Sequence, residues 1–153
     1  MTSFFAFLHH VAAFALAGSL AVEFALIRTE LSAANARRLQ LADTLFGVSS
    51  GAVLVVGLLR VFYFEKGASY YFHSVPFIAK LVLFAVVGLL SIYPTVEFLS
   101  WRKPLKQGSA PTVSPGRLQT LRTIIHWELA GVVLILLCAA LMARGVGHVE
   151  AWL

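Results

Sequence analysis

Eight ionisable residues sit in stretches otherwise built of Leu, Ala, Val and Phe: His9, His10, Glu23, Arg60, Lys80, Glu97, His126 and Glu128. A charged side chain at the centre of a membrane-spanning helix costs about 2.5–3.5 kcal/mol on insertion scales. Residues kept at that cost are candidates for ligand binding, proton movement or internal pairing. A neutral imidazole inside a helix bundle can ligate heme iron. Neighbours on a helix point about 100° apart, so only one of His9 and His10 faces a bundle interior. Arg60 and Lys80 could meet an anion, a quinone oxygen or heme propionates. Their ordinary alternative is snorkelling, since both lie near the ends of apolar blocks. Glu23, Glu97, His126 and Glu128 could form a hydrogen-bonded network or a proton path. Their ordinary alternative is pairing with Arg28, Arg102 and Arg122 near the headgroups.

These residues need elements to position them, and composition says which. The chain has 153 residues, of which 59% are hydrophobic and 12% charged. Its mean hydropathy is +0.86. A soluble domain typically carries about 25% charged residues. The apolar content also excludes disorder, and the single Cys138 excludes a disulfide scaffold. Cys138 lies in mid-span with no nearby base and reads as inert.

The reading is therefore an all-α, integral membrane four-helix bundle, a single transmembrane domain over residues 1–153. Its spans run over about 4–27, 44–64, 75–99 and 123–143. Each is long enough to cross roughly 30 Å of hydrocarbon as a helix. Strands would show shorter, alternating segments. Block one lacks the basic start of a signal peptide and stays apolar to Ile27, so it reads as a span. Residues 28–43 read as a helix extension or an interfacial segment. The Pro/Gly/Ser-rich loop 103–117 reads as a flexible linker. Pro76 suits a helix start, and Pro94 predicts a kink or the end of regular helix. Gly47 and Gly51 form a GxxxG, expected as the central seam of the bundle, with a homodimer interface as the alternative.

Charge sets the expected orientation. Arg28, Arg37, Arg38, Arg102, Lys103, Lys106, Arg117 and Arg122 flank one set of span ends, against Lys66 and Arg144 at the other. The positive-inside rule then places both termini on the outer side. The basic balance of +5 has this origin. Nucleic acid is not an expected partner; the lipid bilayer is, with anionic headgroups meeting the cytoplasmic cluster. His9, His10, Arg60 and Lys80 fall at the outer level, with Tyr63, Tyr70, Tyr71 and His73 nearby and Glu65 as a candidate counter-charge. Glu23, Asp43, Glu97, His126 and Glu128 fall at the inner level. The chain contains no phosphate-cradling loop, CxxC, HExxH or GxSxG.

Three stretches carry a resemblance. They are Leu8-His9-His10-Val11-Ala12-Ala13-Phe14 with Ala17-Gly18, Gly57 through Gly67 around Arg60-Val61-Phe62-Tyr63, and Ala79-Lys80-Leu81 leading to Gly88 through Thr95. Together they resemble a bacterial inner-membrane family, domain of unknown function 2214. That resemblance implies a small multi-pass protein of the inner membrane and no defined activity. A more distant, fold-level likeness is to the small four-helix membrane protoporphyrinogen oxidase. It rests on an early His, Ala17-Gly18 and Lys80-Leu81. It implies a heme b or porphyrin site at the outer level, with His9 or His10 as axial ligand and Arg60 and Lys80 near carboxylates. The function expected is a redox-cofactor protein using heme b or a quinone. The alternatives are a small proton-coupled transporter and a structural or accessory subunit.

The orientation is directly testable. A reporter active only outside the cytoplasm, fused after Leu153, is expected to be active, and a cytoplasm-only reporter silent. The reverse result overturns the assignment.

Overall fold

A computed structural model describes residues 2–64 and 68–147. Six α-helices follow one another: α1 (Thr2–Leu26), α2 (Ala33–Leu59), α3 (Ala68–Phe72), α4 (Val75–Ser100), α5 (Arg102–Lys106) and α6 (Pro115–Ala143). A π-helical turn, Arg60–Phe64, continues α2. Four stretches among the described residues are long and apolar enough to cross a membrane: Ser3–Leu26, Ala33–Tyr63, Val75–Lys106 and Pro115–Ala143. The all-α membrane architecture follows from this.

Two of the helices start earlier than the apolar blocks do. Ser32 caps α2, its hydroxyl accepting from the Asn35 amide at 3.2 Å. The following turns bury Ala36, Leu39 and Ala42 at helical spacing. Residues 33–43 are thus helix, with the span continuing through them. Ser114 caps α6 in the same way, with Pro115 in the first turn. The segment expected as a flexible linker is correspondingly shorter. Its first part is α5, where Leu105 is buried and the Arg37 guanidinium donates to the Leu105 carbonyl at 3.0 Å. Pro111 is buried as well. Apolar side chains spaced among the prolines hold this stretch against the bundle end. Pro76 lies in the first turn of α4, as expected, and α4 runs through Pro94 to Ser100.

The long helices follow one another around the bundle as α1, α2, α4 and α6. The closest pairings are α1 with α2 and α4 with α6. Leu16, Leu20, Leu39, Phe46, Val87, Leu121, Ile125 and Val132 belong to the shared core. Large apolar side chains such as Phe14, Val48 and Leu89 are exposed, as suits a bundle surrounded by lipid. At one end the Val75 amide donates to the Gly147 carbonyl at 3.1 Å, which ties the end of the α6 segment to the start of α4.

The glycines correct one expectation. Gly47 and Gly51 are exposed, and a Cβ on either would meet nothing within 4 Å. They are not the seam. α2 is rotated so that Ala42, Phe46 and Ser49 are buried instead. The close approaches are elsewhere. A Cβ on Gly131 of α6 would lie 2.5 Å from Val87 Cγ2 of α4, and one on Gly57 would lie 3.2 Å from His9 Cε1. Small residues matter where backbones meet, and spacing alone did not locate that meeting.

Gly131→Ala is expected to cost about 1–3 kcal/mol by overpacking. Adding Val87→Ala should recover most of the loss, and Gly51→Ala should change nothing. Thermal denaturation of the purified protein in detergent measures all three.

Candidate functional site

His9 faces inward and His10 does not. His10 is exposed, and its Nδ1 lies 2.6 Å from the Ala6 carbonyl one turn back. His9 lines a cleft together with Arg60 and Lys80, so three helical segments bring these side chains to one place. Gly57 makes room for the imidazole, whose Cε1 and Nδ1 would lie 3.2 and 3.5 Å from an added Cβ. His9 Nδ1 is buried and makes no close hydrogen bond, with the Val53 backbone a polar group within reach of the ring. Tyr71, Phe77 and Met142 complete the wall. The cleft measures about 80 Å³ and is open on one side.

Local backbone geometry contributes to this arrangement. The π-helical turn starts at Arg60, where the regular ladder of α2 ends. Such widened turns change the direction in which successive side chains leave the axis. Arg60 and Val61 remain against the bundle, while Phe62 and Tyr63 are exposed. Lys80 comes from the second turn of α4, whose start is fixed by Pro76. His73 is exposed, with Nδ1 2.6 Å from the Ser69 carbonyl. Glu65 and the Tyr70 side chain lie outside the described residues.

A second cavity of about 250 Å³ lies deeper in the bundle. Val53 and Phe84 border both spaces, so the two adjoin. Most of its lining is apolar, with Ser50, Ser91 and Thr95 as exceptions. The Ser50 and Ser91 hydroxyls donate to carbonyls of their own helices, Phe46 at 2.8 Å and Gly88 at 2.7 Å. The Thr95 hydroxyl instead crosses to α2 and donates to Asp43 Oδ1 at 2.8 Å.

The inner-level residues are divided between two environments. Glu23 and Glu128 are buried among the helices, and Asp43 joins them. Glu97 is turned toward the bundle end. There its carboxylate takes the Arg117 guanidinium and accepts from Trp101 Nε1 at 3.3 Å. His126 is exposed beside Trp127 and shares a cleft with Arg28 and Arg122. Those two arginines bond backbone carbonyls, Arg28 to Phe24 at 2.8 Å and Arg122 to Ile27 at 3.0 Å. Arg28 also stacks on the Phe24 ring at 3.6 Å. Sequence reasoning left Asp43 out of the network because it lies just before the second apolar block. Its stripe with Ser50 and Gly57 on one helical face was the available clue.

Among the described residues, no group of three or more His, Cys, Asp or Glu side chains is arranged to hold a metal ion. His9 is the one imidazole among the described residues lining its cleft, and a single imidazole is enough for an axially ligated heme.

No curated protein and no solved structure matches the chain. A family model matches residues 1–147, nearly the whole of it, including the His9, Arg60 and Lys80 segments. The chain belongs to the family described as predicted membrane protein, DUF2214.

Proposed function

We propose that this multi-pass membrane protein binds a redox cofactor at the His9 cleft, in the outer half of a bacterial inner membrane. The observation that carries the reading is the His9 imidazole. It is held in a membrane-embedded cleft between two cationic side chains, with a buried nitrogen that makes no close hydrogen bond. A buried polar nitrogen is seldom left unmatched without a functional reason.

The cofactor favoured is heme b. The donor set fits it: one imidazole for the iron, with Arg60 and Lys80 as positive charges for two propionates. At about 80 Å³ the cleft is smaller than the roughly 300–1,000 Å³ typical of ligand sites, so it would seat only an edge of the macrocycle, the rest lying toward its open side. Bound there, heme b supplies one-electron exchange. The chain's own part is to orient His9 against Gly57, to place the two cations, and to exclude water with Tyr71, Phe77 and Met142.

One observation favours a quinone as the second reading. The adjoining cavity is mainly apolar and would accept part of an isoprenoid tail, while the His9 end would bond a carbonyl oxygen. At the opposite end, the basic clefts around Arg37, Arg102 and Lys106, and around Arg28 and Arg122, are proposed to meet anionic lipid headgroups.

Protein purified from heme-replete cells is expected to show a Soret band. His9→Ala should abolish it, and His10→Ala should retain it. Lys80→Met should weaken heme retention roughly tenfold, about 1.4 kcal/mol. A colourless wild-type protein overturns the heme assignment. A co-purifying quinone that disappears in His9→Ala would then decide for the second reading.

A further inference from the structure

Three carboxyl groups are buried inside the bundle, one from each of three long helices. Glu23 of α1 and Glu128 of α6 are each 1% exposed, and Asp43 of α2 is 7% exposed. Glu23 lies within range of the Asp43 and Glu128 charges, and Glu128 within range of Asp43. One oxygen of Glu23 and one of Glu128 are buried with no hydrogen-bond partner. From α4 comes the Thr95 hydroxyl, which donates to Asp43. No arginine of the described residues is among the charges that act on Glu23 or Glu128: Arg117 pairs with Glu97, Arg28 bonds the Phe24 carbonyl and Arg122 the Ile27 carbonyl.

Three negative charges cannot share such a site. Like charges in a low-dielectric interior repel strongly, and each carboxylate has already lost its water. The cluster must therefore be neutralised in place. Its carboxyls are not arranged as a metal-ion site. Protons are the remaining means, and a protonated carboxyl also supplies an O–H donor to its neighbour.

Thr95 links this cluster to the middle cavity: it borders that cavity and bonds Asp43. That cavity has room for several waters at ~30 Å³ each, with Ser50 and Ser91 as bonding partners on its wall. It adjoins the His9 cleft across Val53 and Phe84.

We propose that Glu23, Asp43 and Glu128 form a proton-binding site that exchanges protons with the outer cleft through the middle cavity, by way of Thr95. The exchange is balanced at each step. A protonated Asp43 passes its proton to the Thr95 oxygen as the Thr95 hydroxyl proton passes to a cavity water, leaving an Asp43 carboxylate, and a proton arriving by the reverse path restores the carboxyl. The site stands independently of which cofactor, if any, occupies the His9 cleft.

Infrared difference spectroscopy on the full-length protein in lipid vesicles tests this. The wild type is expected to show the carbonyl band of protonated carboxyls, lost on a jump to alkaline pH. Glu23→Gln, Asp43→Asn and Glu128→Gln should each diminish it. Thr95→Val should slow hydrogen–deuterium exchange of the band several-fold. Absence of the band in the wild type overturns the proposal, as does a band unchanged in all three variants. So does a stoichiometric bound cation found by elemental analysis. Unaltered exchange in Thr95→Val overturns the route. Should the carboxyl variants fail to fold, the wild-type band and the Thr95→Val exchange rate still decide.

Discussion

Within roughly 30 Å of hydrocarbon, an amide or a carboxyl finds no water to bond, and everything else in this protein depends on that constraint. The backbone answers it by closing its hydrogen bonds within four long helices. Side chains answer it individually. Ser19, Ser50 and Ser91 donate to carbonyls three or four residues back on their own helices. Arg28 and Arg122 reach backbone carbonyls at helix ends, and Glu97 pairs with Arg117. Among the described residues, the buried groups without such an answer include the ones with chemical potential: His9 Nδ1, and one oxygen each of Glu23 and Glu128.

Packing determines where those groups lie. Lipid gives helices no hydrophobic reason to associate, so contact quality and close approach decide the geometry. Gly131 against Val87 brings α6 onto α4, and Gly57 against His9 brings α2 onto α1. Between the two pairs the fit is looser, and the middle cavity lies there, walled by all four long helices. The same arrangement that seats His9 at one end thus leaves space leading toward Thr95 and the carboxyls at the other. The His9 cleft and the acidic cluster are two consequences of one packing pattern.

Parts of the site were legible in the residues. His9, Arg60 and Lys80 stood out because each is expensive in an apolar block, and their depth along the spans placed them at one level. The choice between His9 and His10 was not legible, since adjacent residues share a depth and differ only in direction around the helix. Asp43 was placed at the inner level but left out of the polar network for a related reason. The polar stretch before it hid the fact that α2 begins at Ser32, which moves Asp43 from a span edge to the third turn of a helix. Glu97 and Glu128 look alike in sequence. Arg117, twenty residues away, takes one of them, and nothing local to either foretells it.

The sequence alone determined the class of solvent, the number of crossings and the candidate polar residues. Those follow from hydropathy and length, which are sums over residues and need no geometry. Rotation of each helix about its axis came only with the tertiary structure. It put His9 inside and His10 outside, exposed the GxxxG of α2, and gathered Glu23, Asp43 and Glu128 while sending Glu97 and His126 elsewhere. Rotation is decided by which side chains fit against a neighbouring helix. In lipid, where both faces of a span can be equally apolar, periodicity does not reveal which face that is.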